Sequence, residues 1–232
     1  VLFSEEDGGL DGGPIELMLM MEQFGRGLVV EPYLANVILA GGVLKRAATP
    51  VQKERWLAPL IGGELQTALA FAEPQGRYDI ENIVTTAVRQ GDDYVVNGSK
   101  AFVLNGGAAE LLIIPARPSG GQTETSGIRL FAVPATADGL DIRRYPTVDA
   151  MQAAEIQLAD VTVPTDHLLG KEDGGYGVLR DTIDDATLAV CAEAVGIMQT
   201  MHDKTLEYSK NRVQFGVPIG TFQALQHRLV DT

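Results

Sequence analysis

The 232-residue chain carries 18 Lys and Arg against 31 Asp and Glu, a formal net charge of -13, and no basic run interrupts the acidic balance. Recognition of nucleic acid by phosphate neutralisation is therefore excluded as a working hypothesis. A hydrophobic content of 45% is enough to bury a core in one or two domains of ordinary size. No apolar run approaches the roughly 20 residues of a membrane span, and no basic segment followed by an apolar one opens the chain, so a cytoplasmic protein is expected. The single cysteine, Cys191, sits among Ala189, Val190 and Ala192. It can form no internal disulfide, offers no metal-ligand spacing, and reads as a buried core thiol. Both ends read as cut: the chain opens on Val1 without Met and stops at Thr232 inside a helical pattern.

In chain order, Pro14 suits a first helical position, and Ile15, Met18, Leu19 and Glu22 begin a helical period that predicts a helix over 14–26. A second helix is predicted over 34–46. Thr49-Pro50-Val51-Gln52 then supplies an N-cap, a first-turn proline and a capping-box glutamine ahead of Trp56 and Leu57. Near Thr67 the period changes. Short β-rich segments are predicted over 68–72, 84–89, 93–96, 100–104, 111–116, 128–133 and 154–158. Asn97-Gly98 reads as the type I′ turn of a hairpin joining the third and fourth. The Gly/Ser/Thr-rich stretch 118–126 reads as a mobile loop. After Gly174-Gly175-Tyr176-Gly177 a long helix is predicted over 178–213, with apolar residues at Leu179, Ile183, Leu188, Val195, Met198 and Leu206. It breaks at Gly216-Val217-Pro218, and Thr221 is placed to cap another. The order is helical (1–66), β (67–172), then helical again (173–232). His167, His202 and His227 form no catalytic pattern, and Gly106-Gly107 reads as a strand-ending turn.

The segment Arg212-Val213-Gln214-Phe215-Gly216-Val217-Pro218-Ile219-Gly220-Thr221-Phe222-Gln223 closely resembles the acyl-CoA dehydrogenase signature R-x-x-F-G-x-x-I-x-x-F-Q. Ala70-Phe71-Ala72-Glu73-Pro74 resembles that family's T-E-P strand. The run from Val96 to Gly106 resembles its N-G-x-K-x-W-I-T-N segment, and Val163-Pro164 through Leu169-Gly170 its V-P-x-x-x-L-L-G exit. The likeness covers essentially the whole chain. It implies a multi-domain α+β fold: part of a helical N-terminal domain, a central β-barrel or sandwich, and the start of a C-terminal helical bundle. It also implies bound FAD, an acyl-CoA substrate, an electron-transferring flavoprotein as electron acceptor, and a homo- or hetero-tetramer.

Desaturation of an acyl thioester needs a carboxylate to take the α proton while the β hydrogen leaves as hydride to the flavin, so base and flavin flank the substrate. By the resemblance, Phe71, Ala72, Phe102 and Leu104 meet the flavin from the β domain, and Arg212, Phe215 and Gln223 meet FAD from the signature turn. Taken alone, Arg212 reads equally as a charge on a helix C-terminus, Phe215 and Phe222 as core aromatics, and Gln223 as a solvated helix residue. Several positions depart from the family, among them its G-S-D, which becomes Arg77-Tyr78-Asp79. Its T-E-P threonine corresponds to Ala72, its W-I-T tryptophan to Phe102 and that motif's threonine to Leu104, leaving aromatic packing and backbone for the flavin.

The base position used by a minority of members corresponds to Ala186, whose methyl group takes no proton; in most members the base lies further towards the C-terminus. Asp184 and Asp185 read as surface or helix-start charges. The A-E-P motif followed by Gln75-Gly76-Arg77-Tyr78-Asp79 resembles partner subunits of bacterial heteromeric, pimeloyl-CoA-type dehydrogenases. There Arg77 and Tyr78 would meet the substrate, although an exposed loop arginine accounts equally for Arg77. A catalytic subunit and a non-catalytic partner that completes a sister's FAD or substrate site both remain open. Acyl-CoA oxidases and flavin monooxygenases of the same fold are weaker alternatives.

Overall fold

A computed structural model describes residues 1–118 and 120–231. The chain divides into two compact units, one comprising 1–13 and 30–187, the other 14–29 and 188–232.

In the first unit, a π-helical turn over Leu34–Ala40 runs into α2 (Gly41–Ala47). The predicted capping box is present at the next helix. Thr49 and Gln52 exchange side-chain and backbone bonds at the start of α3 (Pro50–Gln52), which continues through a π turn at Lys53–Leu57 into α4 (Ala58–Ile61). π turns insert an extra residue per turn and re-aim side chains. The first one turns buried Asn36 towards the β region, where its Oδ1 accepts both the backbone N–H (2.8 Å) and the hydroxyl (2.6 Å) of Thr67. The Asn105 amide in turn donates to the Thr67 carbonyl at 3.1 Å.

Two four-stranded sheets follow. One orders β1 (Thr67–Leu69), β4 (Leu111–Ala116), β5 (Arg129–Pro134) and β8 (Leu168–Leu169). The other orders β2 (Thr86–Gln90), β3 (Asp93–Leu104), β7 (Gln152–Pro164) and β6 (Leu140–Pro146). β1 pairs parallel with β4; the remaining ladders in both sheets are antiparallel. Tyr94, Val96, Val103, Leu112, Ile114, Phe131, Val133, Ile156 and Val161 from the two sheets fill a common core, each buried and each contributing about 1.5–3 kcal/mol as transfer from water. The buried run of β4 is continuous because that strand is central and covered on both faces. A parallel bridge between Thr86 and Arg117 stitches the sheets along one side.

Several expectations are corrected. β3 is one 12-residue strand; Asn97-Gly98 is not a hairpin turn. Gly98 lies where a Cβ would stand 2.5 Å from Thr85 Oγ1 and 2.8 Å from Thr85 Cα, so the glycine serves close approach of chains rather than reversal. The reversal before β3 falls at Gly91-Asp92, between the paired Gln90 and Asp93, with Gly91 at φ 64°. β6 carried no sequence expectation because its outward Asp141, Arg143 and Arg144 mask a weak alternation. Of the 118–126 stretch, Ser119 lies outside the described residues, and the part from Gly121 to Glu124 is tied down by hydrogen bonds. Buried Arg117 donates to the carbonyls of Ile83, Glu81, Gly121, Gln122 and Glu124 and gathers the segment around itself.

In the second unit, α1 (Pro14–Gly27) packs on the distal part of α5 (Gly175–Asn211) through glycines. A Cβ on Gly25 would collide with the Glu193 carbonyl, and one on Gly196 with that of Glu22. The buried stripe of α5 here is Ala189, Ala192 and Gly196, whereas Leu188, Val195 and Met198 are exposed. Cys191, expected inside, is exposed because helical phase turns it away from that stripe. α6 (Gln223–Val230) follows Phe222 without a side-chain cap. Thr221, expected to be the cap, instead donates its hydroxyl to the Pro218 carbonyl at 2.7 Å. Among the described residues no helix is long and apolar enough to cross a membrane, and no cluster of His, Cys, Asp and Glu is arranged to hold a metal.

Replacing Gly98 by Val forces the Thr85 backbone to move. It is expected to lower stability by about 1–3 kcal/mol, read as a shift in the urea unfolding midpoint; an unchanged midpoint would show that the close approach tolerates a side chain.

Candidate functional site

The β unit presents a ledge made from two segments. One is the Phe71-Ala72 stretch just beyond β1; the other is the end of β3 from Ala101 to Leu104. They are joined by a backbone bond, Ala101 N–H to the Ala72 carbonyl, at 2.9 Å. Phe71, Ala72 and Leu104 are half-buried. Phe102 is 56% exposed and sits at φ 48°, a backbone region that costs a non-glycine residue about 1–3 kcal/mol.

Beneath the ledge lies a buried ion pair that composition alone did not reveal. Glu73, directly after Ala72, accepts from Lys100, directly before Ala101, at 2.6 Å, both side chains being 0% exposed. Lys100 also donates to the Pro115 carbonyl (2.7 Å), and Glu73 accepts from the Thr85 hydroxyl (2.5 Å) and the Val84 N–H (2.8 Å). Every polar atom named is thus paired, which a buried charge pair requires. Burial draws the Lys100 ammonium down to about 8 against the pull of Glu73. Burial raises Glu73, but the Lys100 charge and its hydrogen bonds outweigh that and hold the carboxyl below its ordinary value. A sequence signal existed: strand alternation from Tyr94 and Val96 points Lys100 inward, and an inward lysine demands a carboxylate.

Arg77 and Tyr78 lie on the loop after Glu73. Arg77 has φ 51° and makes no hydrogen bond or ion pair among the described residues, and Tyr78 is 97% exposed. On α5, Ala186 is buried; Asp185 pairs with Arg46 at 2.5 Å, and Asp184 is exposed. None of these supplies a free carboxylate at the Ala186 position.

The signature residues belong to the second unit. β9 (Val213–Gln214) and β10 (Val217–Pro218) form a tight ribbon whose turn is Phe215-Gly216, φ 54° and 79°. Positive φ at both central positions is the type I′ pattern, so that turn occurs here and not at Asn97-Gly98. Phe215 is 93% exposed and meets Phe222 edge to face, with ring centroids 6.2 Å apart. Phe222 is itself 38% exposed, so the core-aromatic reading of this pair is corrected. Arg212 and Gln223 are exposed, and the Arg212 guanidinium makes no hydrogen bond or ion pair among the described residues; its carbonyl accepts from Ile219 at 2.8 Å. The fold therefore gathers Phe71, Ala72, Phe102 and Leu104 on one ledge and Arg212, Phe215 and Gln223 on one ribbon, in different units.

The acyl-CoA dehydrogenase N-terminal domain matches residues 1–64, the middle domain 68–161 and the C-terminal domain 173–232. The probable acyl-CoA dehydrogenase YngJ of Bacillus subtilis is 36% identical over 234 residues, covering 99% of this chain and 62% of that protein. Butyryl-CoA dehydrogenase from Megasphaera elsdenii superposes with a TM-score of 0.90 at 31% identity, over 99% of this chain and 62% of that one. An FAD complex of PigA superposes with a TM-score of 0.92 at 28% identity, over 99% and 61%. The chain belongs to the acyl-CoA dehydrogenase family, and its helical, β and helical regions are those of that fold. It spans 62% of the length of the first curated relatives it matches.

The ledge suits a flavin ring. It offers an exposed aromatic face and partly open backbone, and it lacks side-chain hydroxyls at Ala72 and Leu104 that would hold the ring's polar edge.

Glu73→Gln is expected to cost about 3–5 kcal/mol at pH 7, because Lys100 loses its counter-charge and must either stay charged without a partner or give up its proton. The Glu73 carboxyl is lowered in the folded state, so its contribution is present above the ordinary carboxylate value and lost as pH falls through the folded one. Urea unfolding at pH 7 and below pH 4 should therefore show the gap between wild type and variant closing in acid. A gap independent of pH would remove the ion pair from the account.

Proposed function

We propose that this chain is part of an FAD-dependent acyl-CoA dehydrogenase that introduces a double bond between the α and β carbons of an acyl-CoA thioester and passes electrons to an electron-transferring flavoprotein. The observation that carries the proposal is Phe102, a bulky ring held exposed on a strained backbone beside Phe71-Ala72. When bound, FAD would supply the acceptor for the β hydrogen, which leaves as hydride. The chain's own residues bind and orient: Phe71, Ala72, Phe102 and Leu104 by aromatic and backbone contact, Arg212 by charge against pyrophosphate, Phe215 and Gln223 from the signature ribbon. Arg77 and Tyr78, exposed on one loop, are assigned to the CoA phosphates or a distal carboxylate of the substrate. The helical, β and helical stretches 1–66, 67–172 and 173–232 serve as partial N-terminal domain, middle domain and start of the C-terminal bundle, in a cytoplasmic homo- or hetero-tetramer.

A second reading has its own observation. Ala186 is a buried methyl, Asp185 is already paired with Arg46, and Asp184 is turned to solvent, so the Ala186 position itself holds no base. This favours a partner subunit that completes the FAD or substrate site of a sister chain in a heteromeric, pimeloyl-CoA-type enzyme.

The full protein purified with its natural partner should be yellow and should reduce an artificial electron acceptor when given acyl-CoA. A colourless preparation that stays inert with the partner present overturns the enzyme reading. A yellow preparation whose turnover survives removal of every carboxylate on this subunit's substrate side supports the partner role.

A further inference from the structure

β3 leaves its ladder with β7 between Lys100 and Val103, and this bulge reverses the side-chain alternation. Tyr94, Val96 and Lys100 face the core, and simple alternation would send Phe102 there too; after the bulge it is Val103 that is buried. Phe102 instead stands out at φ 48°, 56% exposed. An apolar ring set in water on a strained backbone brings the isolated chain no stability on either count.

A side chain holds it there. The Phe102 N–H, released from the ladder, donates to Glu155 Oε1 on β7 at 3.3 Å. The same oxygen accepts the hydroxyl of Tyr145 on β6 at 2.9 Å. Tyr145 faces Ala153 across the β6–β7 ladder and reaches Glu155 diagonally, while Arg143 stands directly opposite Glu155. Both Glu155 and Tyr145 are half-buried. Burial and the bond to Glu155 raise the Tyr145 hydroxyl above its ordinary range, which keeps it protonated and donating. On the other side of the bulge Ala101 is bonded to Ala72. The strand is gripped on both sides of the ring it presents.

We infer that Glu155, braced by Tyr145, is a positioning residue that captures the N–H of the bulged Phe102 and fixes its ring as the platform for the planar ring of a flavin. Glu155 touches no reacting atom and acts through Phe102. A carboxylate suits the task because a charged acceptor forms a stronger bond than the ladder carbonyl it replaces. The inference rests on the flavin reading above.

The test is a double-mutant cycle on the full protein, read by FAD titration and by the visible circular dichroism of bound flavin. Glu155→Ala is expected to weaken FAD about tenfold, the scale of one hydrogen bond to a charged group, and to alter the flavin dichroism. Glu155→Gln keeps the accepting oxygen and should restore most of the affinity. In a Phe102→Ala background, Glu155→Ala should add nothing, because coupled residues fail to sum. Tyr145→Phe removes only the brace, should weaken FAD in the same direction, and serves where Glu155→Ala does not fold. Unchanged affinity in both Glu155→Ala and Tyr145→Phe, or additive losses with Phe102→Ala, overturns the positioning role while leaving the flavin reading intact. A wild-type protein that binds no FAD overturns both. In flavin-free protein, Phe102→Gly should raise the unfolding temperature by relieving the backbone; a fall overturns the strain argument.

Discussion

The Glu73–Lys100 pair is the constraint from which the ledge follows. Two unit charges with no exposure are costly in a β core, and they persist only because each finds further partners in Thr85, Val84 and Pro115. The pair and those partners lie on four separate stretches of chain. Their mutual distance is set by hydrogen-bond length, so the spacing between Ala72 and Ala101, each next to one member of the pair, is set as well. The bond between those two residues is the visible result. The pair does for the ledge what a hydrophobic contact cannot do, since dispersion tolerates sliding and directed charge pairing does not.

On that fixed base the bulge at Phe102 is a local exception bought with backbone strain. Its neighbours make the exception stable: Ala101 is committed to Ala72, Glu155 takes the freed N–H, and Val103 returns to the core. A similar division of labour occurs at the signature turn, where Phe215 takes φ 54° beside Gly216 and exposes its ring. In both places an aromatic ring is carried by a left-handed residue within β structure. On the proposed flavin reading, the departures from the family pattern at Ala72 and Leu104 matter less, because the ledge then relies on backbone and one ring.

Much of this was legible in sequence. The change of period near Thr67, the capping box at Thr49, and the Arg212 to Gln223 signature marked fold and family. What escaped was decided by tertiary contact. Asn97-Gly98 has the local chemistry of a turn, but Thr85 lies where a side chain would be, and the chain runs straight through. β6 was hidden by its charged outer face. Cys191 looked buried because its neighbours are small and apolar; only helical phase shows that Ala189 and Ala192 face one way and Cys191 another. The inward Lys100 was readable from alternation, whereas Glu155 was not, since its role exists only once a bulge frees the Phe102 N–H.

The glycine contacts between α1 and α5 have a consequence for inheritance as much as for packing. Gly25 and Gly196 each admit the other helix's backbone, so the two helices engage like a key cut at two points, readable at one offset. A point change on the exposed side of either helix leaves the key intact, but a one-codon deletion ahead of Gly25 rotates the notch by about 100° and presents a side chain to the Glu193 carbonyl. Lineages of this chain should therefore tolerate substitution on the exposed side of α1 far more readily than changes in its length.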